Sequence, residues 1–392
     1  MYMKLLHTAD LHLGKSLHEM PLSVEQERML QNIHAILTHD DYAALLISGD
    51  VYDRAIPSGE AVSLFSNFLA AVRCDCPNTA VCIIPGNHDS PQRLAFARTI
   101  LENQRIFIAE NTANIGKPVR LLHNGEEVAV YLLPFLSFGA FRGVCNADGD
   151  KIGDSQAEMA GYAAGILERV VDPTIPSVLM AHLFTLGGTG SSSERAFLGA
   201  AEYIDPSLFS RFTYTALGHL HRFQKVTDRM YYSGSPFPYA FDESSDEKCI
   251  LSVEIDCRTA GFPITVTPIT LVPFRSLHRL AGSITDFLDN KEYSAYADAY
   301  LEITLTDSDV VTNPIQLLRS RFPYILSVRQ TSFLEQQALR EDEMQTIQQH
   351  STDDLRGIAE NFTAFEMLLN NEVSEDKTSL FAQLCKGILH EA

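Results

Sequence analysis

No apolar run in this sequence reaches the length that a membrane span requires. Its first residues, MYMKLLHTADLHLGK, turn polar too early for a signal peptide. The seven cysteines are an odd number at scattered spacing, and Cys74-x-Cys76 has no second pair that would complete a zinc site. These absences argue against a disulfide framework and predict a soluble, cytoplasmic protein with reduced thiols.

Positive charge is also scarce. The chain has 30 Lys and Arg against 50 Asp and Glu, which gives a formal net charge of −20. This balance disfavours a general electrostatic attraction to nucleic acid. The acidity is uneven, because residues 335–392 contain 12 acidic and 4 basic residues. A polyanionic substrate would therefore need bound metal ions, local basic residues or a partner.

Near-continuous apolar runs dominate the first 220 residues of the sequence. Such runs are typical of strands that are covered on both faces. Helix-like stretches separate several of them, at about 22–38, 58–73, 90–103 and 155–171. Strand and helix alternate, so the sequence predicts a layered α/β domain. The predicted strands are MKLLHTAD, YAALLISGD, AVCIIPGNHD, EVAVYLLPF, SVLMAHL and YTALGHLH.

The pattern changes after this region. Short strands and turns follow over about 222–275, and AYLEITLTD, NPIQLLRSRF and ILSVRQTS predict a strand, a helix and a strand of a small α+β unit. Two apolar stripes at helical spacing end the chain, and these helices either pack on the core or dock on a partner. The predicted domains are 1–275, 276–334, a linker at 335–352 and a helix-loop-helix at 353–392.

Five of the predicted strands end in residue types that bind metals. One such residue alone is usually a turn residue, a cap or an ordinary histidine, but functional sites gather at the carboxyl ends of strands in α/β sheets. Five equivalent strand ends therefore indicate one shared site. The candidate ligands are Asp10, His12, Asp50, Asn87, His182, His219 and His221.

This ligand set is too large for one tetrahedral zinc ion with an open position. It suits two five- or six-coordinate divalent ions that share a carboxylate. Mixed nitrogen and oxygen ligands favour Mn²⁺, Fe or Zn²⁺ over Mg²⁺ or Ca²⁺. Two metal ions about 3.5–4 Å apart are a standard arrangement for in-line attack at phosphorus. The sequence therefore predicts a phosphoester hydrolase.

The ordered motifs Asp-x-His, Gly-Asp, Gly-Asn-His-Asp, His and Gly-His-x-His resemble those of the calcineurin-like metallophosphoesterases, over about residues 4–222. Within that family, HTADLHLGKSL, SGDVYDRAIPS, PGNHDSPQRL and YYSGSPFPYAFDE are similar to the nuclease subunits of bacterial SbcCD complexes, the counterparts of the Mre nucleases. This finer resemblance covers most of the chain. It implies a layered β-sandwich flanked by helices, a small DNA-capping α+β domain, and C-terminal helices that bind an SbcC-type ATPase.

The resemblance also implies roles for individual residues. Asp10, His12, Asp50 and His221 would hold one Mn²⁺, and Asp50, Asn87, His182 and His219 would hold the other, with Asp50 bridging.

The residues beside these ligands receive other roles from the resemblance. His88 would not bind metal and would stabilise the transition state or protonate the leaving oxygen. Asp89 would either orient His88 or cap the helix that begins near Ser90. Asp53 stands where archaeal relatives carry His, and whether it touches metal or orients a ligand stays open.

The implied activity is double-strand 3′-to-5′ exonuclease and single-strand or hairpin endonuclease in DNA end processing, recombination and repair. Candidate phosphate contacts are Lys15, Arg93 and Arg222 near the site and Arg275, Arg279, Arg319 and Arg321 in or near the small domain, although each alone is an ordinary surface residue type.

The resemblance further implies a homodimer, formed by helices after the second and third motifs, and a heterotetramer with the ATPase. The chain has no Gly-x-x-x-x-Gly-Lys-Ser/Thr loop, so ATP dependence would come from the partner. The alternative is a small-molecule phosphodiesterase or a phosphoprotein phosphatase of the same superfamily. Residues 276–392 disfavour this alternative, because a stand-alone phosphatase needs no capping unit.

Overall fold

The computed structural model describes residues 2–145, 151–185 and 203–331, together with 362, 377–381 and 383–384. By its internal contacts the chain divides into two units, Met1–Leu277 and His278–Ala392, which are described separately below. Within the described residues, no helix is both long enough and apolar enough to cross a membrane.

The first unit contains two six-stranded sheets, one two-stranded sheet and five α-helices within its described residues. The strands are β1 (Tyr2–Thr8), β2 (Ser16–Leu17), β3 (Met20–Pro21), β4 (Ala44–Ser48), β5 (Ala80–Ile84), β6 (Ile106–Ile108), β7 (Val119–His123), β8 (Glu126–Leu133), β9 (Ser177–His182), β10 (Tyr214–Gly218), β11 (Gln224–Thr227), β12 (Met230–Tyr232), β13 (Cys249–Asp256) and β14 (Ile264–Thr270). The helices are α1 (Ser23–His39), α2 (Gly59–Asp75), α3 (Pro91–Leu94), α4 (Arg98–Glu102) and α5 (Gln156–Val170).

The first sheet has the strand order β14-β13-β1-β4-β5-β6, and the second has the order β11-β12-β10-β9-β8-β7. In the first sheet β1, β4, β5 and β6 are parallel, and in the second β8, β9, β10 and β12 are parallel. All six predicted strands are present, as β1, β4, β5, β8, β9 and β10. Five of them, β1, β4, β5, β9 and β10, end at or next to the predicted ligands.

The two sheets stack face to face around one apolar core. Leu5 and Leu46 of the first sheet pack in the same cluster as Val130 and Met180 of the second. The other face of the second sheet is covered by α5, whose buried side includes Met159, Ala163 and Leu167. The central strands of the second sheet are thus covered on both faces, and the predicted α/β class with a layered β-sandwich is confirmed.

The predicted helix over 90–103 is interrupted. It consists of α3 and α4, and Ala97 between them has a φ of 59°, in the left-handed region. A right-handed helix does not continue through such a residue. The Arg98 amide instead donates to Ala95 O at 3.0 Å, which closes a turn between the two short helices.

The second unit has a small α+β core. Its sheet has the order β15-β16-β17, with β15 at Leu277–Gly282, β16 at Tyr300–Leu305 and β17 at Ile325–Gln330, and the helices are Ile284–Asp289 and Pro314–Arg319. Phe287, Leu301, Ile303, Leu318 and Phe322 form the buried cluster. The strand, helix and strand predicted from the sequence are all present here.

The predicted linker at 335–352 lies outside the described residues, as does most of the predicted helix-loop-helix at 353–392. Phe362 and Lys377–Phe381 are helical, and the rings of Phe362 and Phe381 stack with centroids 3.9 Å apart.

Candidate metal centre

The carboxyl ends of β1, β4 and β5 in one sheet meet those of β9 and β10 in the other. This brings together side chains that are up to about two hundred residues apart, such as those of His12 and His221, whose sequence separation is 209. Six of the seven candidate ligands are buried, and Asn87 is partly exposed. All seven, Asp10, His12, Asp50, Asn87, His182, His219 and His221, lie at this edge.

The backbone of these loops is unusual. Asp10, His12, Asp50 and His219 have φ values of 55°, 44°, 49° and 104°. Non-glycine residues rarely adopt this left-handed region, and such strain concentrates at functional sites. Two hydrogen bonds, from Asp10 N to Gly49 O at 3.0 Å and from His12 N to Asp50 O at 2.9 Å, join the loop after β1 to the loop after β4.

Two glycines of the metal-binding motifs have no room for a side chain, because other side chains of the site lie against their backbone. A Cβ atom at Gly86 would overlap the carboxylate of Asp50, and one at Gly49 would overlap the ring of His182. Gly49 also has a φ of 97°. The glycines of Gly-Asp and Pro-Gly-Asn therefore make room for the side chains that gather at the site.

One group of candidate ligands forms around His12 and His221. Their Nε2 atoms lie 3.1 Å apart, and ligand atoms of Asp10, His12 and His221 all lie within 4.8 Å of one another. His12 Nε2 is also 3.8 Å from Asp50 Oδ2. Two neutral imidazoles that point the same lone pairs at each other repel, whereas a shared cation satisfies both. This group therefore fits a divalent metal ion.

The other group forms around Asn87. Its Oδ1 atom lies 2.9 Å from His182 Nε2 and 3.1 Å from His219 Nδ1. His182 Nε2 is in turn 3.5 Å from Asp50 Oδ2. The Asp50 carboxylate thus lies between the two groups. The combined set of imidazoles, carboxylates and an amide oxygen suits first-row divalent ions.

Burial dominates the ionisation of the site. It raises the pKa of Asp10 to about 7 and lowers the pKa of His219 to about 3. Burial also acts to raise the pKa of Asp50, but the imidazoles of His182 and His12 outweigh it and hold that pKa below its ordinary value. For His182, burial lowers the pKa, and the negative charge of Asp50 reverses this, so that it rises to about 9. Charge in this site is therefore stable only beside opposite charge.

Acceptors outside the cluster hydrogen-bond the Nδ1 atoms of His182 and His221, whereas the Nδ1 atom of His12 lies near a carboxylate without a hydrogen bond. His182 Nδ1 lies 2.9 Å from Ser48 O, His221 Nδ1 lies 3.0 Å from Glu243 Oε1, and His12 Nδ1 lies 3.5 Å from Asp53 Oδ1. A partner at Nδ1 turns Nε2 toward the cluster, as in metal sites whose histidines are oriented by a second layer of acceptors. Glu243 was not foreseen from the sequence, where it is only one acidic residue in a polar stretch.

Further residues outside the predicted set support the loop of His12. Gln26 donates to His12 O at 2.7 Å and accepts from Gly14 N at 2.9 Å. Tyr239 donates to Leu11 O, and its ring lies edge-on to His12 at 5.4 Å. No local sequence signal marks these residues, because their contacts form only when distant segments meet.

His88 is partly exposed beside the cluster. Its backbone N–H donates to Asp50 Oδ1 at 2.9 Å, and its Nδ1 atom lies 2.9 Å from Asp53 O. Asp53 therefore contacts two histidines of the site, His12 through its carboxylate and His88 through its backbone carbonyl. This favours an orienting role for Asp53.

The hydrogen bonds of Asp89 differ from both roles expected of it. Its carboxylate accepts the backbone N–H groups of Val51 at 3.0 Å, Tyr52 at 2.9 Å and Gly86 at 3.0 Å. Ser90, not Asp89, occupies the N-cap position of α3. Asp89 thus fastens the loop after β4 to the loop after β5, and the carbonyl of Asp53 holds the His88 ring.

Several basic residues that were expected near the substrate pair with acidic groups or carbonyls instead. Lys15 Nζ lies 2.8 Å from Asp53 Oδ1, and Arg222 binds Asp246 at 2.9 Å. Arg93 is exposed on α3.

The arginines expected in or near the small domain follow a similar pattern, apart from Arg319, which is exposed. Arg275 binds Glu25 at 2.8 Å, Arg279 binds Glu302 at 2.6 Å, and Arg321 donates to Phe287 O at 2.7 Å. Much of the expected positive charge is therefore neutralised locally.

Two family models match the chain. Residues 3–223 match the calcineurin-like phosphoesterase family. Residues 273–358 match the SbcD C-terminal model, described as the Type 5 capsule protein repressor C-terminal domain. Together these matches support an SbcD-type nuclease.

Among solved structures, the crystal structure of TT1561 of Thermus thermophilus is 11% identical, with a TM-score of 0.37, and the match covers 68% of this chain and 99% of that one. The matched phosphoesterase region includes all seven candidate ligands. The chain therefore belongs to the calcineurin-like phosphoesterase family, whose members are metal-dependent phosphoesterases.

Proposed function

We propose that the chain is a two-metal DNA nuclease subunit, with double-strand 3′-to-5′ exonuclease and single-strand or hairpin endonuclease activity. The observation that carries the proposal is the combination of a phosphoesterase site with an SbcD C-terminal match in one chain. Asp10, His12, Asp50 and His221 would hold one ion, and Asp50, Asn87, His182 and His219 the other. The ions would be Mn²⁺, which accepts this mixture of nitrogen and oxygen ligands.

Bound divalent ions supply Lewis-acid polarisation of a phosphodiester and a water nucleophile at neutral pH. The chain's own contribution lies in positioning and proton transfer. Asp50 accepts the backbone N–H of His88 and so ties the residue beside the substrate to the centre of the site. With Nδ1–H donated to Asp53 O, the imidazolium form of His88 would give its Nε2 proton to the departing oxygen of the DNA and be left as the neutral ring.

The assembly is part of the same proposal. Four exposed apolar side chains, Ile56, Val62, Phe96 and Ile100, lie on or beside the helices that follow the second and third motifs, and they support a homodimer through this face. Residues 276–334 would cap the DNA, and 353–392 would bind an SbcC-type ATPase to give a heterotetramer. A cytoplasmic location accords with the free thiols of Cys74, Cys76, Cys82, Cys145, Cys249 and Cys257.

The test is a substrate panel for the purified full-length chain with Mn²⁺. A DNA hairpin, a blunt duplex, bis(p-nitrophenyl) phosphate and a phosphopeptide are each incubated with and without the ATPase partner. We expect cleavage of both DNA substrates, with the partner and ATP extending it. Hydrolysis of the phosphopeptide or the small diester without any DNA cleavage would favour the alternative of a phosphatase or small-molecule phosphodiesterase. The His88→Asn variant, prepared in parallel, reports contaminating nuclease.

A further inference from the structure

A buried ion pair lies directly behind the candidate metal centre. Lys248 Nζ is 2.8 Å from Glu243 Oε2, and the two side chains are 4% and 0% exposed. Burying two charges costs desolvation energy that their attraction repays only when their remaining hydrogen bonds are satisfied, so a buried pair is by itself weak evidence of added stability. Its contacts therefore indicate what it does.

Both members of the pair contact His221. Glu243 Oε1 accepts from His221 Nδ1 at 3.0 Å, and Lys248 Nζ donates to the backbone carbonyl of His221 at 2.8 Å. The carboxylate of the ion pair thus binds the side chain of His221, and the ammonium group binds its backbone. Both members of the pair make a further hydrogen bond. Glu243 Oε2 accepts from Tyr239 N at 3.1 Å, and Lys248 Nζ donates to Ser235 Oγ at 3.1 Å.

We infer that Glu243 and Lys248 are positioning residues that fix the tautomer and orientation of His221, so that its Nε2 lone pair faces His12 Nε2 and the ion between them. This inference rests on the proposed function, in which His221 is a ligand. The Glu243 carboxylate accepts hydrogen bonds and cannot donate one, so Nδ1 of His221 carries a proton, and in the neutral ring Nε2 is then the unprotonated nitrogen. Lys248 supplies the positive charge that a carboxylate at this depth requires.

The ion pair should affect the metal ion held by Asp10, His12 and His221 more than the other ion. His221 belongs to the group with Asp10 and His12, whereas Asn87, His182 and His219 form the other group. Loss of the ion pair should therefore weaken one of the two metal equivalents. Removing a residue that orients a metal ligand typically lowers metal affinity about 10–100-fold.

The test measures Mn²⁺ binding by the full-length chain with calorimetric titration. Thermal melting checks that each variant is folded. Glu243→Gln keeps an acceptor oxygen for His221. The charge-balanced double variant Glu243→Ala/Lys248→Met removes both hydrogen bonds to His221. We expect affinity at one equivalent to fall about 10–100-fold in the double variant and by less in Glu243→Gln. The matched control is Glu25→Gln/Arg275→Met, which removes a partly buried ion pair, 2.8 Å apart, and should leave both metal equivalents unchanged.

The outcomes separate the inference from the proposed function. If His221→Ala itself leaves Mn²⁺ binding unchanged, the ligand assignment fails. If His221→Ala weakens binding but the folded double variant does not, only the positioning role is overturned. Nitrogen-15 NMR of histidine in the unmodified, metal-free chain needs no variant to fold. A His221 ring protonated at Nδ1 supports the inference, and one protonated at Nε2 overturns it.

Discussion

The Nε2 atoms of His12 and His221 lie 3.1 Å apart, while the Nδ1 atoms of the two rings face the carboxylates of Asp53 and Glu243. The hydrogen bond with Glu243 turns the Nε2 lone pair of His221 inward, and the Asp53 carboxylate, 3.5 Å from His12 Nδ1, favours the same orientation of the His12 ring. A cation between the rings removes the repulsion between them, so the folded state should bind divalent metal far better than the unfolded chain does.

Metal should consequently raise the melting temperature. At a Mn²⁺ concentration 100-fold above Kd, linkage adds about 2.7 kcal/mol to the free energy of unfolding. Differential scanning calorimetry with Mn²⁺ and with a chelator measures this shift, and His12→Ala should abolish much of it. His39→Ala, at an exposed position in α1, should respond like the unmodified chain. Identical melting in Mn²⁺ and chelator would refute the metal assignment.

His88 should matter for turnover and not for metal binding. We expect His88→Asn to lower kcat on a DNA hairpin about 10²–10⁴-fold, because a positioned proton donor is lost. Mn²⁺ affinity should stay close to that of the unmodified chain, because His88 is not among the proposed ligands. Gel-based nuclease assays and calorimetric titration separate the two effects, with His39→Asn as the control. A loss of metal affinity as large as the loss of kcat would make His88 a ligand instead.

Asp89 should contribute stability. In Asp89→Asn one carboxylate oxygen becomes an NH2 group that faces a backbone N–H donor, and losing a charge-assisted hydrogen bond costs about 1.5–3 kcal/mol. Urea unfolding measures this loss. Ser90→Ala is the matched control, since the Ser90 side chain makes no capping hydrogen bond, and its effect should be within about 0.5 kcal/mol. Reduced kcat with unchanged stability would restore the role of orienting His88.

Gly86 should tolerate no side chain. Gly86→Ala places a Cβ on the Asp50 carboxylate, and we expect it to lower the free energy of unfolding by at least about 2 kcal/mol. Gly161→Ala in α5 is the control, because nothing lies within 4 Å of its added Cβ. A helical glycine of this kind should gain about 0.5–1 kcal/mol on replacement by alanine. Equal effects of the two variants in urea unfolding would contradict the close approach.

His7 should make stability depend on pH. Burial lowers its pKa to about 3 from 6.5, and its Nδ1 atom lies 2.8 Å from Tyr214 Oη. A depressed folded pKa means that the unfolded chain binds the proton more readily. The contribution of neutral His7 is therefore complete above pH 6.5 and is lost as pH falls toward 3, by up to about 1.4 kcal/mol per pH unit.

The measurement is the free energy of unfolding from pH 7 to pH 5, in chelator, for the unmodified chain and His7→Gln. Other buried groups titrate in both proteins, so the difference between the two slopes isolates His7. The variant should have the shallower slope. Parallel slopes would mean that His7 takes up its proton in the folded state.

The strands, and the residue types that follow them, can be predicted from the amino-acid sequence. Apolar runs such as ALLIS and AVCII are buried whichever elements cover them, and motif residues such as Asp50 and Asn87 stand next to them in the covalent chain. Their carboxyl ends share one edge of a parallel sheet, so a common site could be predicted before any tertiary contact was known.

The contacts that support this site could not be predicted in the same way. Asp89 fastens two loops, Glu243 and Lys248 grip His221, and Lys15 is neutralised by Asp53. The left-handed turn at Ala97, which divides a predicted helix, is another feature that was not predicted from the sequence. Apart from that turn, these contacts join separate segments of the sequence that meet only when the chain has folded. Hydrophobic periodicity records which face of each strand is buried, and it carries no information about which polar groups then meet.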